Sequence, residues 1–208
     1  MNRFEGFATE ENNGNGLEDK VSSHFEVVDG RPTDIFEFPG FSIYVEKPTN
    51  NEPQTRVEIR AGEKKYNFLQ NLPPEHRFVV GSNPDSPWVH NAAYSTTKKT
   101  IYGMPFESKG ALLTNGHEKH HAIYHYVTLS ETERNKLHAA RRKFKDGSYS
   151  DVNDQEGKLI FADEKNAWEK AIEEIRNIER ELGIVILNND EELERYTNDR
   201  LQTYDWLS

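Results

Sequence analysis

The spacing of apolar positions divides the chain into three parts. Residues 1–22, MNRFEGFATEENNGNGLEDKVS, follow neither a twofold nor a helical period and are rich in Asn, Gly and Glu, so they are expected to form a mobile polar tail. From about Ser23 to Ile101, apolar residues recur at every second position in short runs. HFEVV, FSIYVEK (Phe41, Ile43 and Val45 on one side), a hairpin from TRVEIR to KKYNFL, RFVVG, WVHNAAY and TIYGM each predict a strand. Between them, DGRPTD, PTNNEPQ, LPPEH and SNPDSP supply the Gly, Pro and Asn that turns require. This spacing predicts a mainly antiparallel sheet.

The period then lengthens. Ser130-Glu131-Thr132-Glu133 spells a capping box, which starts a helix to about Lys145 with Leu137, Ala140 and Phe144 as its apolar stripe. Arg141-Arg142-Lys143 with Lys145 reads as a solvated basic face near the end of that helix. KLIF (158–161) predicts a strand. A long helix follows over roughly Asp163 to Leu182, its apolar face formed by Trp168, Ala171, Ile172, Ile175, Ile178 and Leu182, with Gly183 closing it. IVIL (184–187) predicts a buried strand, and residues 190–206 a third, acidic helix.

These elements predict one α+β domain over residues 23–208. Mainly antiparallel β-sheet from the first two-thirds packs against helices from the last third. The expected core contains Phe41, Ile43, Val45, Val57, Ile59, Val79, Ile101, Ile123, Val127, Ile160, Trp168, Ile172 and Ile175.

Composition narrows the function. A net charge of −10 over 208 residues argues against general nucleic-acid binding and favours a protein partner with a basic surface. No apolar run approaches the length of a membrane span, and the N-terminus shows no basic-then-apolar leader. The expected location is cytoplasmic, or reached by an export route without a recognisable signal peptide. With no cysteine, disulfides, thiol nucleophiles and thiolate metal sites are excluded.

Four of the eight histidines lie in GHEKHHAIYHYVTLS, residues 116–130. Residues 121–129 alternate: His121, Ile123, His125, Val127 and Leu129 fall on one side, and Ala122, Tyr124, Tyr126 and Thr128 on the other. A strand inside the sheet is the expectation. His117-Glu118-Lys119-His120-His121 matches the HExxH spelling of zinc proteases, where a helix sets two histidines one turn apart and directs the glutamate at a metal-bound water. With Asn115-Gly116 ahead and a strand behind, the expectation here is a histidine cluster at a loop–strand junction, with no metal. Asp151–Gly157 is acidic, but Glu156 and Ala162 occupy the sixth and twelfth positions of a calcium loop, where Gly and Glu are required.

One family resemblance stands beside these readings. Asp29-Gly30-Arg31-Pro32-Thr33-Asp34-Ile35-Phe36 with Gly40-Phe41 resembles the opening segment of the ADP-ribosylating toxins, and Tyr94-Ser95-Thr96-Thr97 is similar to their aromatic-Ser-Thr-Ser strand. The landmarks occur in the family's order over about 130 residues. The resemblance implies an NAD-dependent ADP-ribosyltransferase or NAD glycohydrolase, with NAD in a cleft between two sheets. His24, Arg31, Ser95 and Thr96 would bind the cofactor, and Glu156 or Glu164 would be the catalytic glutamate. Val27 stands where the family has its NAD-binding arginine, and His24 is the nearest substitute. The alternative from the residues themselves is an acidic, non-enzymatic binding protein of inhibitor, immunity or adaptor type.

Overall fold

A computed structural model describes residues 16–48, 56–81, 92–145, 152–202 and 204. It has the expected α+β architecture: an antiparallel five-stranded sheet precedes a helical C-terminal part. β1 (Ser22–Val28) and β2 (Arg31–Phe38) form a hairpin closed by Asp29-Gly30. Both turn residues have positive φ, 52° and 78°, as a two-residue turn needs to match strand twist. β3 (Phe41–Glu46), β4 (Arg56–Ala61) and β5 (Lys64–Asn67) continue the sheet in the order β1-β2-β3-β4-β5. β2 was not expected, since Arg31–Asp34 read as part of a turn; the alternation read in β3, β4 and β5 joins it in one cross-strand row, in which Phe36 faces Ile43, Ile43 faces Ile59 and Ile59 faces Tyr66, all buried.

A second, three-stranded sheet has the order β6 (Arg77–Val80), β8 (Thr100–Gly103), β7 (Ala93–Ser95). β7 is antiparallel to β8, but β6 is parallel to it. Residues 88–91 of the predicted WVHNAAY strand, and the PTNNEPQ and SNPDSP loops beyond residues 48 and 81, lie outside the described residues, as do residues 1–15 of the predicted tail. The rest of that tail is not loose. Leu17 is buried in the core, and its carbonyl accepts the Gly110 N–H at 2.6 Å.

The helical part corrects several expectations. α1 (Lys109–Ile123) runs through the histidine-rich stretch and continues into a π-helical turn, Tyr124–Thr128, so there is no strand at 121–129. Ser108 caps α1 by accepting from the Ala111 N–H. Ile123 is half-buried and Val127 is exposed, so neither anchors the core. α2 (Glu131–Lys145) starts at the predicted capping box: Ser130 N–H donates to Glu133 and Glu133 N–H donates to Ser130 Oγ. α3 (Asp154–Leu182) begins nine residues earlier than expected and absorbs KLIF as helix. Asn153 and Glu156 cap it reciprocally, which accounts for the described part of the acidic Asp151–Gly157 stretch. Gly183 ends it at φ 74°. IVIL is not a strand. Ile186 and Leu187 are buried, with their N–H groups donated to Glu179 Oε1. α4 (Asp190–Leu201) completes the chain.

Of the remaining expected core residues, Val79 and Ile172 are half-buried and the others are buried. α1 packs against α3, and on one side a buried ion pair joins them. Lys119 Nζ reaches Glu174 and the Phe68 carbonyl, and His120 and Tyr66 bond the same carboxylate. Burial pulls the Lys119 ammonium below its ordinary pKa while Glu174 opposes that shift.

Candidate metal centre

An α-helix places residues i and i+4 on one face, one turn apart. On α1 this brings His117 and His121 together, with their Nε2 atoms 3.0 Å apart. α3 supplies the acids. Asp163 and Glu164 lie on its apolar stripe between Ile160 and Trp168, where a carboxylate is buried and must find partners. Glu164 Oε2 lies 3.2 Å from His117 Nε2, and Glu164 Oε1 lies 3.5 Å from His121 Nε2.

These separations have a specific meaning. A tetrahedral Zn²⁺ with bonds near 2.0–2.1 Å holds its ligand atoms about 3.3–3.4 Å apart. The two imidazole nitrogens lie 3.0 Å apart, with Glu164 Oε2 3.2 Å from one and Oε1 3.5 Å from the other, so the three residues could together hold a cation such as zinc. All three residues line a cavity of about 540 Å³ that leaves the fourth direction open.

The surrounding groups orient these three. His121 Nδ1 lies 3.2 Å from Asp163 Oδ1, so the proton on Nδ1 is directed at a carboxylate and Nε2 is turned to the cavity. His125, carried on the π-helical turn, places Nε2 3.1 and 3.0 Å from the two Asp163 oxygens. Arg141 Nε donates to Asp163 at 2.8 Å, and its Nη2 to Glu164 Oε1 at 2.7 Å. Beyond them, His138 Nε2 sits 3.2 Å from His125 Nδ1. His117 is held differently: its ring stacks on Trp168 at 4.1 Å, and its buried Nδ1 has no hydrogen-bond partner among the described residues.

A second group, His121, His125 and Asp163, also meets the spacing for a cation. Arg141 pairs with the carboxylate of each group, Asp163 and Glu164. All three members of the His117–His121–Glu164 group line the cavity; of the second group, His121 and His125 do.

Charges at the centre are strongly coupled. Burial disfavours charge on His121, but Asp163 and Glu164 outweigh it and hold its pKa up at about 10. Burial opposes ionisation of Asp163 and Glu164, yet His121 and Arg141 hold both well below the usual carboxylate range. Burial lowers His117 to about 4. Glu118, next to His117, lines the same cavity and is pushed up to about 7 by burial.

Two basic residues flank this chemistry, and Arg141 departs from expectation. Lys119 does not lie near the metal position but on the opposite side of α1, against Glu174. Arg141 does not share the solvated face of its neighbours. It turns inward to the carboxylates, while Arg142 is exposed.

Of the six site residues implied by the toxin resemblance, two line the cavity: Thr96 and Glu164. His24 is exposed on β1 beside Glu26, and Arg31 pairs with Glu46 in the same sheet. Ser95 serves the turn after β7, near Thr97 Oγ1 and the Lys98 N–H. Glu156 caps α3 and binds Lys143 at 2.6 Å. The sequence reading placed His125 in the histidine cluster and Arg141 on a solvated face, and gave no site role to Asp163 or His138. Acids at core positions of an apolar helix stripe were the available signal.

No known protein family, curated protein or solved structure matches the chain. Among the described residues, no helix is long and apolar enough to cross a membrane.

Proposed function

We propose that the protein is a metal-dependent hydrolase of the zinc-peptidase kind, with Zn²⁺ bound by His117, His121 and Glu164. The observation that carries this reading is the close grouping of His117 Nε2, His121 Nε2 and the Glu164 carboxylate beside a cavity. Zinc there would polarise a carbonyl and supply a water acidic enough to attack near neutral pH. Glu118 is the general base: it follows the first histidine, faces the same cavity and can carry a proton near pH 7. Asp163 keeps His121 in the ligating tautomer, and Arg141 fixes the Glu164 carboxylate through Oε1. The substrate class is a peptide. β7 is an edge strand whose Ala93 and Tyr94 border the cavity, so an extended chain can add alongside it and present a backbone carbonyl to the centre.

The test is metal analysis of protein purified without a histidine tag, followed by zinc-dependent cleavage of an unfolded protein substrate. One zinc per chain, lost in His117→Ala and Glu164→Gln, is expected. Glu118→Gln should keep the metal and lose about 10²–10⁴-fold in turnover. Absence of stoichiometric metal at neutral pH would defeat this reading. NAD-dependent stabilisation or NAD hydrolysis would favour the ADP-ribosyltransferase reading, supported by the sequence resemblance and by Thr96 and Glu164 sharing the cavity. Neither property would favour the acidic binding protein.

A further inference from the structure

β1 is the outer strand of the five-stranded sheet, and all of it but Val28 is exposed. Edge strands are normally guarded by Lys, Pro or a bulge, because unpaired backbone groups recruit another strand. SSHFEVV has no Lys, Pro or bulge in its seven residues, and Glu26 is its one carboxylate. It also displays Phe25 and Val27, 57% and 65% exposed, on one side of the strand.

The hairpin decides which backbone groups point outward. The two-residue turn makes Val28↔Arg31 the first hydrogen-bonded pair, and the pairs then alternate. Val27↔Pro32 is therefore a non-bonded pair. This agrees with proline's missing N–H and with the Pro32 carbonyl, which accepts from Lys47 on the β3 side. Ser23, Phe25 and Val27 thus direct their N–H and C=O groups away from β2. A second antiparallel strand can bond only where outward residues face outward residues.

We propose that this edge pairs with itself: two copies of the chain join through antiparallel β1–β1 pairing about a twofold axis at Phe25. Charge selects that register. Centring the axis on His24 sets imidazole against imidazole, and centring it on Glu26 sets carboxylate against carboxylate. Centring it on Phe25 sets His24 of each copy opposite Glu26 of the other and stacks the two Phe25 rings side by side. Ser23 and Val27 face each other across the seam. The three outward residues then make about six backbone hydrogen bonds, and the two five-stranded sheets become one continuous sheet. Within one chain His24 Nε2 already lies 3.3 Å from Glu26, so pairing brings a second carboxylate beside each imidazole.

Sedimentation velocity of the full chain over a concentration series is the test. The expected result is a reversible dimer, with the Ser23, Phe25 and Val27 amides gaining hydrogen-exchange protection as concentration rises. Val27→Pro removes only an outward donor and should give a monomer with unchanged circular dichroism. His24→Glu places like charges opposite each other twice and should weaken the dimer about tenfold. The swap H24E/E26H should restore it, even if Val27→Pro proves unable to fold. A monomer at every concentration overturns the proposal. So does a dimer indifferent to His24→Glu, which would lie on another surface, or protection of these amides only by a different protein.

Discussion

Asp163 is the side chain on which the centre turns. It accepts from His121, His125 and Arg141 while almost wholly buried. Asp163→Asn keeps the size but not the charge, leaving His121 free to adopt the wrong tautomer. Zinc affinity should fall about 10–100-fold, measured by competition with a chelator. An unchanged affinity would mean that Asp163 serves only to balance Arg141. His138 allows a separate test of charge at the edge of the cluster. Burial lowers its pKa to about 4, helped by His125, Arg134 and Arg141, with Asp163 opposing. In the unfolded chain it titrates near 6.5. Between these values the unfolded state holds the extra proton, so stability is full above about 6.5 and is lost as pH falls through about 4. Glu118, raised to about 7, slopes the other way, so the comparison must be made between proteins. Metal-free His138→Gln should lose less stability than the parent between pH 6.5 and 4 in urea unfolding.

At the scale of elements, α1 explains both what could be read and what could not. A helix reveals itself in sequence by a polar face opposite an apolar one. α1 has no such contrast, because Lys109, Asn115, His117, Lys119 and His121 are all buried in specific pairings. With no solvent face to mark the 3.6-residue period, the chance alternation of His121 to Leu129 looked like a strand. α3 was legible where Trp168, Ala171, Ile175 and Ile178 repeat, and illegible at KLIF, where four apolar-leaning residues carry no period of their own. α1 also gives a paired prediction. Gly→Ala in a helix interior normally gains about 1 kcal/mol. A methyl on Gly116 would meet Ala171 Cβ at 3.4 Å, an ordinary contact, so Gly116→Ala should be neutral or stabilising. A methyl on Gly110 would lie 2.9 Å from both the Leu17 carbonyl and the Tyr196 hydroxyl, so Gly110→Ala should cost about 1–3 kcal/mol despite its propensity. Thermal unfolding of the two variants checks the sign of each.

For the whole molecule, β1, β3, β4 and β5 were legible because strict alternation is a local signal, whereas β2 was not: the Gly and Pro of DGRPTD read as a turn, but the turn is Asp29-Gly30 alone and Arg31–Phe38 pairs on both sides. The centre was not legible, because His117 and Glu164 are 47 positions apart and only the packing of α1 on α3 unites them. That packing couples metal to fold. α1 and α3 would supply the ligands and α2, through Arg141, braces one of them, so a cation bound there holds three helices at once. Asp163 and Glu164 hold the His121 pKa up at about 10, so zinc binding there would displace a proton and should weaken as pH falls. Zinc at a hundred times its dissociation constant should therefore stabilise the fold by about 2.7 kcal/mol. For a chain of this size that is a rise in Tm of about 5–11 °C. Magnesium, which prefers six oxygen ligands, should give no comparable rise. Glu164→Gln and His117→Ala should each lose most of the zinc-induced increment, whatever they do to the metal-free Tm. An increment that survives both substitutions would place the stabilising zinc somewhere other than on α1 and α3.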